Sequence, residues 1–209
     1  MSLFPIFLKL KGGSCLVVGA GMVGEGKTRG LLETGATIQV VAPQATASVR
    51  RWVRDGSIIW HPRAYDSADL AGVFLVVVAT SSRELNDQVF REAQQRGVLC
   101  NVVDDPPRCD FYYPSLVRRG ELQIAISTGG HSPFLAQRLR QQFESQFGPE
   151  YAEWVEWLGK VRERLFQRKM EPERRRQLLR RLASHERFEA FVRRRTARVW
   201  AEVATGMQR

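Results

Sequence analysis

Apolar residues in the first half of the chain form short runs that alternate with segments of helical spacing. Short continuous apolar runs bounded by glycine or proline are typical of strands buried on both faces of a parallel sheet. Five such strands are predicted, at residues 15–18, 36–41, 57–60, 73–79 and 98–103. Helices are predicted between them at 25–34, 46–54 and 84–96, with a short connector at 68–72. This alternation predicts an α/β fold, in which helices cover a parallel sheet.

The pattern changes beyond residue 110. Residues 111–117 and 122–127 flank a glycine-containing turn, which predicts a β-hairpin. Ser132 and Pro133 are typical of a helix N-cap and a first helical position, so a helix is predicted over 134–147. The remainder of the chain is predominantly helical in its spacing.

A glycine pattern, G-x-G-x-x-G, follows the first predicted strand and opens the first predicted helix. In that context it is typical of dinucleotide binding, and the alternative is a tight turn without a ligand. The first glycine permits the turn, the second lets the backbone approach a pyrophosphate, and the third allows close helix–strand packing. The predicted phosphate-binding residues are Gly19, Gly21, Met22, Val23 and Gly24.

The fold class that follows is a Rossmann-type parallel sheet, then a small α+β region and a C-terminal helical domain. The predicted boundaries are 1–112 for the NAD-binding Rossmann domain, 113–148 for the small α+β region and 149–209 for the helical domain.

The second predicted strand ends without the acidic residue that commonly binds the ribose of NAD. Its end carries Ala42, Pro43 and Gln44, so backbone groups near Pro43 and Gln44 are predicted to hold the ribose. Arg50 and Arg51 lie too far along the chain to be assigned to the phosphate of NADP. The residues alone leave NAD and NADP both open.

Polar residues also follow the fourth and fifth predicted strands, where ligands of parallel sheets bind. Thr80 either lines the dinucleotide or caps the next helix. Asn101 and Val102 are predicted to contact the cofactor, and Asp104 would project toward its nicotinamide end. A carboxylate there can accept a proton during an oxidation. The alternative is that Asp104 or Asp105 caps the proline-rich turn that follows.

The loop at 127–133 combines two glycines with a helix N-terminus, which favours either an anion site or a simple helix entry. The candidate ligand-binding residues are Ser127, Thr128, Gly129, Gly130 and His131. A lone histidine is more often incidental than catalytic, so His131 receives no catalytic role. We predict no metal-binding residues, because no Cys, His and carboxylate spacing resembles a metal cage.

Charge and cysteine content limit the classes of partner. The net charge is +10, and residues 150–209 hold 16 of the 32 Lys and Arg residues but only 9 of the 22 Asp and Glu residues. Such a surplus suits nucleic acid, membrane surfaces or polyanionic small molecules. No nucleic-acid-binding signature occurs, and the longest apolar run is too short for a membrane span. Three sparse cysteines and no signal peptide predict a cytoplasmic protein.

Several motifs together resemble the N-terminal region of the siroheme synthases, the precorrin-2 dehydrogenase and sirohydrochlorin ferrochelatase family. The most specific are NVVD at 101–104 and STGGHSP at 127–133. The other matching stretches are 4–10, 15–24, Lys27, 41–43, 79–80, Asn86 and 111–115, so the resemblance spans residues 4–140.

The resemblance implies NAD-dependent oxidation of precorrin-2 to sirohydrochlorin, with Asp104 as the catalytic residue for proton transfer. It also implies binding of the substrate by residues 127–131, and Fe²⁺ as a second substrate where a member inserts iron. The family forms homodimers through the hairpin and the helix that follows it, which makes the α+β region at 113–148 the expected dimerisation region. A valine-alanine-proline ending of the second strand is usual in that family, which favours NAD here. Two other classes stay open: a regulatory NAD-binding module, which would not need Asp104, and nucleic-acid binding by the basic helices.

Overall fold

The computed structural model describes residues 3–206, with side chains as far as residue 195. The chain divides after Tyr113 into two compact units. This division does not test the predicted separation of a dimerisation region from a helical domain, which stays a prediction.

The first unit is a five-stranded parallel sheet of strand order β3-β2-β1-β4-β5. This order confirms the predicted Rossmann-type fold class, since the chain crosses from one side of β1 to the other between β3 and β4. Its strands are β1 (Ser14–Ala20), β2 (Thr37–Ala45), β3 (Ile59–His61), β4 (Leu75–Val78) and β5 (Leu99–Val102). Its helices are α1 (Met22–Leu32), α2 (Ala47–Arg54) and α3 (Arg83–Arg96), with 3₁₀ turns at Ser67–Leu70 and Pro106–Arg108.

The sheet is buried on both faces, as the unbroken apolar runs predict. Leu16 and Val18 belong to one hydrophobic cluster, with Val76 of β4. Val17 belongs to the other cluster, with Val77. Because alternate residues of a strand point to opposite faces, these two clusters are the two sides of a single sheet.

Two boundaries in this unit differ from the sequence prediction. β2 continues to Ala45 instead of ending at residue 41, because Ala45 pairs with Ala20 beyond an irregularity in β1. Pro43 is tolerated there because the pairing of β2 with β3 has already ended at Val41. Helix α1 begins at Met22 rather than Glu25, directly after the N-cap residue Gly21.

The second unit contains the antiparallel hairpin of β6 (Ser115–Arg119) and β7 (Leu122–Ile126), followed by helices. The predicted strand at 111–117 is wrong in its first half, because residues 111–114 lie outside the hairpin. The helices are α4 (Pro133–Gln146), α5 (Glu150–Gln167), α6 (Pro172–Leu182) and α7 (His185–Gly206). Ser132 caps α4 as predicted, by accepting a hydrogen bond from the Leu135 N–H.

Candidate functional site

The glycine turn between β1 and α1 is packed backbone against backbone. Gly19 has a φ of +101°, and a Cβ at this position would collide with the carbonyl oxygen of Ala79 at the end of β4. A Cβ at Gly24 would collide with the carbonyl oxygen of Gly19. The first and third glycines therefore hold the helix close to the strand, as their positions in the pattern predict.

Gly21 differs from these two residues, because no atom of the described residues lies within 4 Å of the place where its Cβ would stand. It is the N-cap residue of α1 and provides no side-chain cap. The first N–H groups of a helix have no intrahelical partner, and the helix dipole makes that end attractive to anions. The open space at Gly21 therefore faces donors that fit a phosphate group.

A cavity of about 470 Å³ adjoins this turn, within the range of ligand clefts. Among the predicted cofactor residues, Gly19, Gly21, Met22, Val23, Pro43 and Thr80 line it. Sequence reasoning missed Ala64, Tyr65 and Leu85, which also line it. Tyr65 could have been found, because it follows the end of a predicted strand, and strand ends border such crevices.

Thr80 is fixed at the end of β4 by a small hydrogen-bond network. Its hydroxyl contacts Oδ1 of Asn86 at 2.6 Å, and the Asn86 amide donates to the Thr80 carbonyl at 3.3 Å. The cap of α3 is Ser82, whose hydroxyl accepts from the Leu85 N–H. Of the two roles considered for Thr80, lining the cavity and capping the next helix, the structure therefore gives the first to Thr80 and the second to Ser82.

The end of β2 presents Pro43 to the cavity, whereas Gln44 is exposed and lies outside its lining. The indole N–H of Trp60 donates to the Ala42 carbonyl at 3.0 Å and holds this strand end in place. Arg50 donates to the Ala45 carbonyl at 3.1 Å. The residues of β2 that line the cavity, Val41, Ala42 and Pro43, are all apolar.

Asp104 follows β5 at the same edge of the sheet, one strand beyond Thr80. It is exposed, and its φ of +61° is the only positive value of a non-glycine residue in the described part of the chain. No described residue forms a hydrogen bond with its carboxylate. Residues in this backbone region cluster at functional sites. Asp105, the alternative capping residue, pairs with Arg108 at 2.7 Å and provides no side-chain cap.

The loop after β5 is anchored from inside the sheet. Asn101 is 6% exposed, and its amide nitrogen donates to the Phe111 carbonyl at 2.8 Å and to Cys109 Sγ at 3.3 Å. Arg108 fastens the 3₁₀ turn to α3 by donating to Asp87 at 2.9 Å. Neither Asn101 nor the buried Val102 lines the cavity. Their predicted contact with the cofactor stays a prediction, and the position of Asn101 supports an anchoring role.

Lys27 extends from α1 toward this loop, and its ammonium lies 3.8 Å from the centroid of the Tyr113 ring. Desolvation lowers the pKa of Lys27, while the charge of Asp104, and that of Cys109 once its thiol is ionised, act in the opposite direction. Burial raises the pKa of Cys109 and that of Tyr113, so both of these groups are neutral at neutral pH. Lys27, Asp104, Cys109 and Tyr113 form one cluster, which we call the loop cluster.

The second unit contains the predicted ligand loop. Gly129 and Gly130 have φ values of +61° and +83°. The Thr128 hydroxyl accepts from the Ser132 N–H at 3.1 Å and also contacts the Ser132 carbonyl at 3.1 Å. Ser127 accepts from the Gly129 N–H at 3.1 Å, and His131 is exposed. The loop is thus a closed turn whose hydroxyls already have partners.

Within the part of the chain that the structure describes, no three His, Cys, Asp or Glu side chains are grouped as metal ligands. In the same residues, none of the helices combines the length and the apolar character needed to span a bilayer.

Comparison with known proteins agrees with this geometry. Residues 6–115 match the model of a putative NAD(P)-binding family, and residues 119–146 match that of the central region of sirohaem biosynthesis proteins. The siroheme synthase of Photorhabdus laumondii is 40% identical over 168 residues, which are 80% of this chain and 36% of that protein. The siroheme synthase of Pseudoalteromonas atlantica is 46% identical over 145 residues, which are 69% of this chain and 31% of that protein.

This chain therefore spans about a third of the length of the curated relatives that it matches. A solved structure, SirC, a precorrin-2 dehydrogenase, superimposes with a TM-score of 0.77 at 28% identity. That superposition covers 92% of this chain and 98% of the SirC chain.

Proposed function

The chain belongs to the putative NAD(P)-binding family in the form that siroheme synthases carry, and we propose that it oxidises precorrin-2 to sirohydrochlorin with NAD. The observation that carries this proposal is the position of Asp104. Its carboxylate forms no hydrogen bond with the described residues and lies at the sheet edge that also holds the dinucleotide crevice.

NAD, when bound, supplies the acceptor for the hydride that leaves the macrocycle. The residues present fit this cofactor. The N-terminus of α1 offers donors for the pyrophosphate, and the open space at Gly21 leaves room for it. The apolar residues Val41, Ala42 and Pro43 line the cavity at the end of β2 and suit the adenosine part. Among the described residues, no carboxylate or cation lines the cavity, so backbone groups and shape would provide most of the binding of the cofactor.

Oxidation of precorrin-2 releases a hydride and a proton. Asp104 follows β5, the strand next to β4, at the sheet edge that also borders the crevice, so its carboxylate would stand beside a macrocycle bound next to the cofactor. The exposed carboxylate would accept the proton that the macrocycle loses.

Incubation with precorrin-2 and NAD tests the proposal directly. We expect NADH absorbance and the spectrum of sirohydrochlorin to appear together, and neither to appear when NAD is left out. An NADP arm compares the two cofactors, and we expect turnover to be faster with NAD. Tight NAD binding without oxidation of the tetrapyrrole would contradict the proposal and favour a regulatory nucleotide-binding module.

Asp104→Asn is the variant that isolates the carboxylate, because asparagine also tolerates a positive φ. We expect kcat to fall by about 10²- to 10⁴-fold, the range for loss of a general acid–base group. The Kd of NAD and the melting temperature should stay close to those of the wild type. Asp105→Asn is the matched control, since Asp105 is paired with Arg108, and it should retain most of the activity. A fully active Asp104→Asn variant would remove Asp104 from the mechanism.

Iron insertion into sirohydrochlorin is a second candidate reaction. The observation that favours it is the same carboxylate, which can assist removal of protons from the macrocycle nitrogens while Fe²⁺ enters as a substrate. We expect an Fe²⁺ or Co²⁺ insertion assay without NAD to show turnover that Asp104→Asn loses. Insertion no faster than in buffer would limit the protein to the dehydrogenation.

The proposed assembly is a homodimer formed through the second unit. Phe134, at the start of α4, is 84% exposed and its neighbour Leu135 is 41% exposed, and adjacent exposed apolar side chains favour a contact surface. Light scattering should give twice the monomer mass of 23.8 kDa, and Phe134→Asp should shift the protein toward monomer. A wild-type monomer would contradict the proposed dimer.

Residues 127–131 are proposed to bind the substrate, because they lead into the N-terminus of α4, and the dipole of a helix makes that end attractive to anions such as carboxylates.

We place the reaction in the cytoplasm. Cys15, Cys100 and Cys109 are free thiols, which is usual in a reducing compartment. Fractionation of the native cells with an antibody to the protein tests this location, and recovery from an oxidising compartment would overturn it.

A further inference from the structure

Lys27 is a desolvated cation of the first unit whose hydrogen-bond donors are unused. It lies in the second turn of α1 and is half-buried against the loop that follows β5. Its ammonium stacks on the Tyr113 ring at 3.8 Å. Among residues 3–195, no carboxylate lies within 4.0 Å of this ammonium, and no acceptor forms a hydrogen bond with it. An ammonium group has three N–H donors, so these are available to a molecule from outside.

The surroundings of Lys27 do not supply a full counter-ion. The charged or titratable groups that act on it are Asp104 and Cys109, and Tyr113 contacts it through the face of its ring. Burial raises the pKa of Cys109, which therefore stays a neutral thiol in the neutral range. A cation loses favourable hydration when it is partly buried, and contact with an aromatic ring compensates for only part of that loss. An incoming anion would complete the site.

We propose that Lys27 binds a carboxylate of the polyanionic macrocycle and thereby sets the position of the ring beside Asp104. This inference rests on the proposed function. The ammonium and the Asp104 carboxylate belong to the same loop cluster, so a substrate held by Lys27 is within the electrostatic reach of Asp104. In this role Lys27 attracts the peripheral carboxylate, while Asp104 is left to accept the proton.

Lys27→Met removes the charge and keeps much of the length of the side chain. We expect the KM for precorrin-2 and the Kd of sirohydrochlorin to rise about 10- to 100-fold, as for loss of a charge-assisted hydrogen bond. The KM for NAD should change little, and kcat less than the KM for precorrin-2. Lys27→Arg should restore most of the affinity. Lys11→Met, at an exposed lysine, is the matched control and should behave like the wild type.

The alternative role for Lys27 is a clamp that only holds α1 to the loop through Tyr113. A clamp predicts a lower melting temperature for Lys27→Met with unchanged KM for precorrin-2 and unchanged Kd of sirohydrochlorin. That result would overturn the inference. If the wild type shows no turnover of precorrin-2 with NAD, the proposed function fails. If the wild type is active and Lys27→Met has wild-type affinities, only the role of Lys27 fails.

The pH dependence of the wild type gives a test that needs no folded Lys27→Met variant. Because desolvation lowers the pKa of Lys27, its charge is lost on the alkaline side at a lower pH than for an ordinary lysine. Affinity for sirohydrochlorin should therefore fall as the pH rises through the pKa of Lys27. Lys27→Arg stays charged over the same range and should lack this fall. The same alkaline profile for wild type and Lys27→Arg would assign it to another group and contradict the inference.

Discussion

Two glycine-containing turns lead into helices in this chain, and the structure holds them in different ways. In the turn before α1, side chains at Gly19 and Gly24 would collide with backbone atoms. In the turn before α4, Gly130 has open space around it and Gly129 meets only the His131 ring, at 3.6 Å. The first turn is therefore fixed by contact of backbone with backbone, and the second by hydrogen bonds of its own hydroxyls.

This difference separates two kinds of turn. A turn fixed by backbone contacts leaves its N–H groups free and rigid, which suits a cofactor with the same phosphates in every reaction cycle. The second turn is held by the hydroxyls of Thr128 and Ser127, so a single substitution there removes the hydrogen bonds of one side chain and leaves those of the other in place. Substitutions in the first turn should therefore have large effects on folding or on NAD binding, and substitutions in the second should have smaller ones.

Gly24→Ala should produce the largest effect. Its methyl group would overlap the Gly19 carbonyl, which cannot withdraw because Gly19 is itself pressed against Ala79. Overpacking of this kind costs about 1–3 kcal/mol of the free energy of unfolding, and occasionally more. Gly26→Ala in the same helix is the matched control, since no atom lies within 4 Å of the place of its Cβ. The control should be as stable as the wild type or up to about 1 kcal/mol more stable.

Urea unfolding of both variants provides the measurement. Equal stability of Gly24→Ala and Gly26→Ala would show that the turn is not held by backbone contact, and the distinction between the two turns would be lost.

Gly21→Ala should separate binding from folding. Its N-cap φ of −74° is allowed to alanine, and no atom of the chain lies near its Cβ position. The free energy of unfolding should fall by no more than about 1 kcal/mol, because alanine is a poorer N-cap than glycine. The methyl group would nevertheless stand where a pyrophosphate approaches the helix. We expect the Kd of NAD to rise about tenfold or more, as for a steric cost of about 1–3 kcal/mol.

Isothermal titration with NAD measures this effect, and Gly26→Ala again provides the control. Unchanged affinity of Gly21→Ala would place the pyrophosphate elsewhere than at this turn.

The parts of the fold that sequence alone predicted are those set by local pattern. The β1 and β4 runs are apolar without interruption, and a strand buried on both faces needs that composition. Ser132 and Gly97 mark helix ends through residue type alone, as an N-cap and a left-handed C-cap. The Rossmann-type fold class also followed, because strands that alternate with helices form a parallel sheet in few allowed topologies.

The errors arose where distant residues decide the local structure. β2 extends to Ala45 because Ala20 of another strand pairs with it, whereas Pro43 taken by itself indicates that the strand ends earlier. Phe111 is not part of the hairpin, because its carbonyl accepts a hydrogen bond from Asn101. Both outcomes depend on contacts between segments that no local pattern records.

The candidate site shows the same limit. The glycine turn and Thr80 were found because a motif and a strand end identify them. Tyr65 and Leu85 border the same cavity and carry no motif. The contact between Lys27 and Tyr113 joins α1 to the end of the first unit, so it appears only when the sheet is folded.

Thr128→Val should give the smallest effect, in the second turn. Valine keeps the shape of threonine but loses the hydroxyl that accepts from the Ser132 N–H and contacts the Ser132 carbonyl. Because each such bond contributes about 0.5–1.5 kcal/mol net, the melting temperature should fall by only a few degrees. The KM for precorrin-2 should rise slightly while the Kd of NAD stays unchanged, and Thr128→Ser should match the wild type. A loss of NAD binding in Thr128→Val as large as in Gly21→Ala would mean that both turns serve the same ligand.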